Sequence, residues 1–93
     1  MAYAKRVDAN HKAMVAHIRR IPGTTVLDLS AVGHGCGDIL VGWKGRNYMI
    51  EIKDGEKPPS RRKLTKDQET FHAEWTGQIC VVKNPSELWK LLL

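Results

Sequence analysis

Two acidic residues and one lysine stand on strands that otherwise look built for a hydrophobic core. The stretch GDILVGWKGRNYMIEIKDG, residues 37–55, predicts a β-hairpin with Asp38 at its start and Glu51 and Lys53 near its end. Side chains alternate along a strand, so Glu51 and Lys53 share one face with Met49. A turn near residues 44–46 would place Asp38 opposite residues 51–53. We therefore expect the three charges to converge at one end of the hairpin.

Such a cluster suits metal-assisted hydrolysis of a phosphodiester. Two neighbouring carboxylates repel each other unless a cation lies between them. A hard divalent cation, Mg²⁺ or Mn²⁺, takes oxygen ligands, here Asp38, Glu51 and the backbone carbonyl of Ile52. Lys53 would orient the attacking water or stabilise charge on the phosphate. The alternative interpretation is a surface ion-pair cluster at a strand end, which contributes little to stability.

The charge distribution favours a polyanionic partner. The chain has 93 residues, enough for a single domain over 1–93, with a net charge of +5 and a pI near 9.5. Residues 57–66 hold five of the fifteen basic residues and no acid. Either this segment is a solvated loop, or it contacts phosphates through its basic residues, which are Lys57, Arg61, Arg62, Lys63 and Lys66.

Hydrophobic periodicity predicts the elements that position these residues. We expect helices over 8–20, over 65–75 and after Pro85, and strands over 24–30, 38–43, 47–53 and 78–83. The order α-β-β-β-α-β-α predicts an α/β protein with a mixed four-stranded sheet flanked by helices. The third and fourth strands should be parallel, because a helix connects them. We expect the last strand, residues 78–83, to be buried.

Several residues have a structural explanation as well as a functional one. Thr65 and Gln68 fit a capping box, which would explain Gln68 without catalysis. Asp8 would cap the first helix. The glycines of 33–37 lack the flanking elements of a dinucleotide-binding loop and are expected to let backbone or DNA pass close to Asp38. Trp75 and Trp89 are expected in the core or at an interface.

The arrangement resembles the PD-(D/E)xK nuclease superfamily. In GDILVG…YMIEIKDG, Asp38 falls on the first acid, Glu51 on the second and Lys53 on the lysine. The segment LTKDQ resembles the VRR-NUC branch, in which a glutamine joins the active centre, and Gln68 is the matching residue. In RVDANHKAMVAHIRR, Asp8 matches an acid of that branch's first helix. Gly37 departs from the pattern, which has proline before the first acid.

The resemblance implies a small stand-alone nuclease of the phage and prophage type with a restriction-endonuclease-like core. It implies a Mg²⁺- or Mn²⁺-dependent DNA endonuclease, selective for branched, flap or Holliday-junction DNA and acting as a homodimer. Neither a small-molecule cofactor nor a membrane is expected, and the bacterial cytoplasm is the expected compartment. The alternatives are a non-catalytic basic nucleic-acid-binding module and a subunit of a larger phage or restriction complex.

Overall fold

The fold is α/β, with three helices and four strands in the predicted order. The computed structural model describes residues 10–92. A 3₁₀ helix at Pro59–Arg61 adds to the expected elements. The remaining elements are α1 (His11–Arg19), β1 (Thr25–Asp28), β2 (Ile39–Trp43), β3 (Arg46–Ile52), α2 (Lys66–Glu74), β4 (Ile79–Val82) and α3 (Pro85–Leu92).

The four strands form one mixed sheet in the order β1-β2-β3-β4. The first two pairings are antiparallel and β3 runs parallel to β4, as predicted. The hairpin turn is shorter than expected. Lys44 and Gly45 both take positive φ angles, 51° and 78°, and Arg46 already pairs with Trp43. Two residues with positive φ match the twist of the flanking strands, so the tight turn fixes the register that continues to Ile39 opposite Ile50.

Helices α1 and α3 cover one face of the sheet and form the hydrophobic core with it. The predicted apolar face of α1 is buried at all four of its positions, His11, Met14, Val15 and Ile18. Burial of the three apolar side chains, Met14, Val15 and Ile18, contributes to the hydrophobic effect, the main favourable term in folding. The core consists of Met14, Val15, Ile18, Ile21, Ile39, Val41, Ile50, Ile52, Val82, Leu88 and Leu92.

The glycine-rich loop lies against the first turn of α2. Gly35 has a φ of 81°, and a Cβ at this position would overlap the backbone carbonyl of Asp67 and lie 2.9 Å from the Gln68 nitrogen. A close backbone approach thus occurs at Gly35, three residues before Asp38, and the approaching backbone belongs to α2. This contact brings the start of α2 toward the charged end of the hairpin.

Three expectations about individual elements are wrong. Strand β4 forms an edge of the sheet, and of its four residues only Val82 is buried, because β4 has a neighbour on one side alone. Trp75 and Trp89 lie outside the core, with 44 % and 37 % of their surfaces exposed, so the core is wrong for both and the expected interface stays a prediction. The α1 helix begins at His11, later than predicted, and Asn10 takes the N-cap position.

Asp8, predicted both as a cap and as a site residue, lies outside the described residues. Within residues 10–92, no helix has both the length and the apolar character that a membrane span requires.

Candidate active site

The structure brings Asp38, Glu51 and Lys53 together in the protein interior. Their exposed fractions are 2 %, 2 % and 8 %. A surface ion-pair cluster is therefore the wrong interpretation of these charges. Burying a charge is costly unless polar groups replace the lost water, so the neighbours of each group decide what the cluster can do.

Asp38 closes the end of the ladder between β2 and β3. Its backbone nitrogen donates to the Ile50 carbonyl at 2.9 Å, and its Oδ2 accepts a hydrogen bond from the Ile52 nitrogen at 2.7 Å. The Asp38 side chain thus takes the place of a backbone partner for Ile52, just before β2 begins at Ile39. The amide and carbonyl of one strand residue point to the same side of the strand. The Ile52 carbonyl is therefore directed toward the edge that carries the Asp38 carboxylate.

Lys53 and Glu51 are joined through Gln68 on α2. The Lys53 Nζ donates to Gln68 Oε1 at 2.9 Å, and Gln68 Nε2 donates to Glu51 Oε2 at 3.1 Å. Lys53 Nζ also lies 3.9 Å from Glu51 Oε2. Gln68 is itself buried, with 8 % of its surface exposed. An ammonium, an amide and a carboxylate therefore form one connected polar network at the end of β3.

Gln68 serves both the capping box and the charged network. Its Oε1 accepts from the Thr65 backbone nitrogen at 2.9 Å, and the Thr65 hydroxyl accepts from the Gln68 nitrogen at 3.2 Å. The predicted capping box is thus confirmed. The cap uses one lone pair of Oε1, so the second lone pair and Nε2 reach Lys53 and Glu51. The capping box and the contacts with Lys53 and Glu51 are therefore compatible in one side chain.

Asn10 is a residue near the site that the sequence interpretation missed. Its Nδ2 donates to the Lys53 carbonyl at 3.1 Å, while the Lys53 nitrogen donates to the Val82 carbonyl at 2.9 Å. The backbone of Lys53 is thus hydrogen bonded both to the N-cap residue of α1 and to strand β4. Asn10 Oδ1 is buried and has no hydrogen-bond partner among residues 10–92. The sequence did contain a signal for it. Asn10 directly precedes His11, the first residue of the apolar face of the helix, and asparagine is common at the N-cap position.

The basic loop, residues 54–65, begins and ends at the site. The chain leaves it at Lys53 and returns at Gln68, and these two side chains are hydrogen bonded. Of the basic residues in and after this loop, Arg61, Lys63 and Lys66 are exposed and Lys57 and Arg62 are half-buried. Arg62 Nε is a buried donor without a partner in the described part of the chain. The predicted phosphate-binding residues therefore lie in or directly after a loop whose two ends meet at the site.

The oxygen atoms at the site are of the type that a hard divalent cation prefers. Asp38 and Glu51 supply carboxylates, and Ile52 supplies a carbonyl directed to the same edge. Across residues 10–92, there is no group of three or more His, Cys, Asp or Glu residues that could hold a metal. Two carboxylates and a carbonyl match Mg²⁺ or Mn²⁺, which retain water and accept phosphate oxygens in their remaining positions.

No family model matches the sequence, and neither a curated protein nor a solved structure matches it.

Proposed function

We propose that this protein is a metal-dependent DNA nuclease of the PD-(D/E)xK type. One observation carries the proposal. Asp38, Glu51 and Lys53 are buried together at one end of a hairpin, and Gln68 links the last two by hydrogen bonds of 2.9 and 3.1 Å.

Stability alone does not account for this arrangement. Small domains are stable by about 5–15 kcal/mol in total, and removing charges from water costs several kcal/mol per ion. Replacing a buried ion pair by apolar residues of similar volume is often neutral or stabilising. A 93-residue chain that buries two carboxylates and an ammonium next to a basic loop supports a chemical role for them.

Asp38, Glu51 and the Ile52 carbonyl would hold the Mg²⁺ or Mn²⁺ ion. When bound, such a cation lowers the pKa of a coordinated water and stabilises negative charge on a phosphate. Lys53 Nζ would orient the attacking water and neutralise charge that develops on the phosphate oxygens. The hydrogen bond to Gln68 fixes the Lys53 ammonium, and the Asn10 contact fixes its backbone. Burial limits the water that competes for these groups.

DNA is the proposed substrate because the basic loop closes at the site. Its residues would bind backbone phosphates and give affinity without a sequence preference. Selectivity for branched, flap or Holliday-junction DNA, and action as a homodimer in the bacterial cytoplasm, rest on the superfamily resemblance. A two-fold dimer would present two equivalent sites to a symmetric junction.

A non-catalytic DNA-binding module would use the same basic loop. Such a module gains nothing from buried carboxylates that face a polyanion, because like charges weaken binding. A subunit of a larger complex would need its partner for activity. The two alternatives and the nuclease predict different behaviour of the purified protein.

Cleavage assays with three DNA substrates test the proposal. Purified protein would be incubated with a four-way junction, a flap and a plain duplex, each with Mg²⁺, Mn²⁺ or a chelator. We expect cuts only with metal, and symmetric nicks at the junction if the protein acts as a dimer. Intact DNA in every lane, with gel shifts that ignore metal, would refute the nuclease and favour the binding module.

A further inference from the structure

An open apolar groove runs beside the candidate site, on the α2 face of the sheet. Its volume is about 810 Å³, within the range of about 300–1,000 Å³ that small-molecule sites occupy. We call it the aromatic groove. Its main apolar lining residues are Val32, Cys36, Leu40, Met49, Phe71 and Trp75.

The elements that form the aromatic groove also form the candidate site. Met49 lies two residues before Glu51 on the same face of β3, and Phe71 lies one turn after Gln68 on α2. A DNA strand that reaches the site from the basic loop would therefore continue along α2 into the groove.

Trp75 presents a fixed ring at the far end of this path. Its indole stacks on Phe71, with ring centroids 5.5 Å apart and planes inclined by 14°. Any side chain at residue 77 would meet this indole, since a Cβ on Gly77 would lie 2.8 Å from Trp75 Nε1. The ring is thus packed on one face and along one edge, while 44 % of the residue stays exposed. Nucleobases stack on rings of this kind.

Polar groups around the aromatic groove favour a neutral, hydrogen-bonding ligand. Asn47 and Gln78 line it, and their amides can donate to and accept from a base edge. Asp67 and Glu74 line a neighbouring cleft together with Phe71. Their carboxylates would repel phosphates, so the base rather than the backbone of a strand suits the groove.

We propose that the aromatic groove binds an unpaired nucleobase of the DNA strand whose phosphates lie on the basic loop. This inference rests on the proposed function and specifies its substrate as DNA with unpaired nucleotides rather than an intact duplex. Gln68 and Trp75 are seven residues apart, about 10 Å along a helix at ~1.5 Å per residue. At ~3.4 Å per stacked nucleotide, the bound base lies about three nucleotides from the cleaved bond.

The test uses a duplex with a single-stranded extension that carries one 2-aminopurine, and the same DNA with an abasic nucleotide at that position. Affinity and 2-aminopurine fluorescence are measured in chelator, so that no cleavage occurs. Stacking quenches this base, and we expect quenching by the wild-type protein. We also expect the abasic DNA to bind at least about fivefold more weakly, as loss of one stacked base predicts.

The Trp75→Ala variant should bind both DNAs equally, with no quenching, and Trp75→Phe should restore much of the difference. Trp89→Ala is the matched control, because Trp89 is 37 % exposed but its indole donates to His17 on the other side of the sheet. We expect it to behave as the wild-type protein does. Circular dichroism would establish that each variant is folded.

Three results would overturn the inference. One is equal binding of both DNAs by the wild-type protein. Another is an equal loss of affinity for both DNAs in Trp75→Ala. The last is a result in which the wild-type protein sediments as a dimer, the Trp75→Ala variant sediments as a monomer, and the preference for the intact base is unchanged. In that case the groove would be a contact between two copies of the chain. Base-dependent binding without any cleavage would refute only the proposed nuclease, whereas cleavage without base dependence would refute only this inference.

Discussion

Replacement of Gln68 by alanine should destabilise the protein strongly, because one side chain supports three groups. Gln68 accepts hydrogen bonds from Lys53 Nζ and from the Thr65 nitrogen, each at 2.9 Å, and donates to Glu51 at 3.1 Å. The Gln68→Ala variant leaves a buried ammonium and a buried carboxylate with one partner fewer each. It also removes half of the capping box of α2.

The expected loss of folding free energy is about 3 kcal/mol. A hydrogen bond to a charged group contributes about 1.5–3 kcal/mol, and a helix cap contributes about 0.5–2 kcal/mol. Water that enters the space of the lost side chain will replace part of these interactions, so the sum falls toward the lower end of these values. In a domain of this size, such a loss lowers the melting temperature by about 12–24 °C.

Urea denaturation followed by far-UV circular dichroism would measure this loss. Glu69→Ala is the matched control, since Glu69 is exposed on the same helix and should stay within about 0.5 kcal/mol of the wild-type value. Gln68→Glu should also destabilise, by placing a second carboxylate against Glu51. This loss should grow as the pH rises above about 4.3, the ordinary pKa of a glutamate, because the protonated form carries no charge. A Gln68→Ala variant as stable as Glu69→Ala would refute the structural reasoning.

Three further predictions concern the glycine-rich loop, the Cys80 thiol and the proposed phosphate-binding residues. Gly35→Ala should cost more than about 2 kcal/mol in urea unfolding, because a Cβ overlaps a helix carbonyl, whereas Gly45→Ala, with φ of 78° but open space, should cost only about 1 kcal/mol. Burial raises the pKa of Cys80 to about 11, so its reaction with a thiol reagent should be slow at neutral pH and accelerate as the pH approaches that value. A pH-independent rate would contradict this. Removal of Arg61 and Lys63 together should lower the magnitude of the slope of log binding constant against log salt concentration by about 0.7–0.9 per residue. An unchanged slope in anisotropy titrations would exclude both residues as phosphate contacts.

The arrangement of the charged residues could be predicted because it depends on local rules. Strand alternation put Glu51 and Lys53 on one face, and a short turn folded Asp38 back toward them. The error of one residue in the turn did not matter, since Asp38 still reached the end of β3. The spacing of Thr65 and Gln68 likewise predicted a cap that exists.

Features that depend on packing between distant elements could not be predicted. A four-residue apolar run such as β4 has the same composition at a sheet edge as in its centre, so the edge position was not evident. Trp75 is exposed because α2 leaves a groove beside it, which no periodicity indicates. The link from Gln68 to Glu51 and Lys53 required the approach of α2 that Gly35 permits.

The most direct test of the proposed active site compares the DNA cleavage rates of two lysine variants. Lys53→Ala removes the buried ammonium, whereas Lys90→Ala removes an exposed lysine of α3 on the opposite face of the sheet. With saturating protein and Mg²⁺ or Mn²⁺, we expect Lys53→Ala to cleave at least about 100-fold more slowly than the wild-type protein, as loss of one fixed group that stabilises developing charge predicts. Lys90→Ala should cleave at the wild-type rate. A folded Lys53→Ala protein that cleaves DNA as fast as the Lys90→Ala control would contradict the proposed active site.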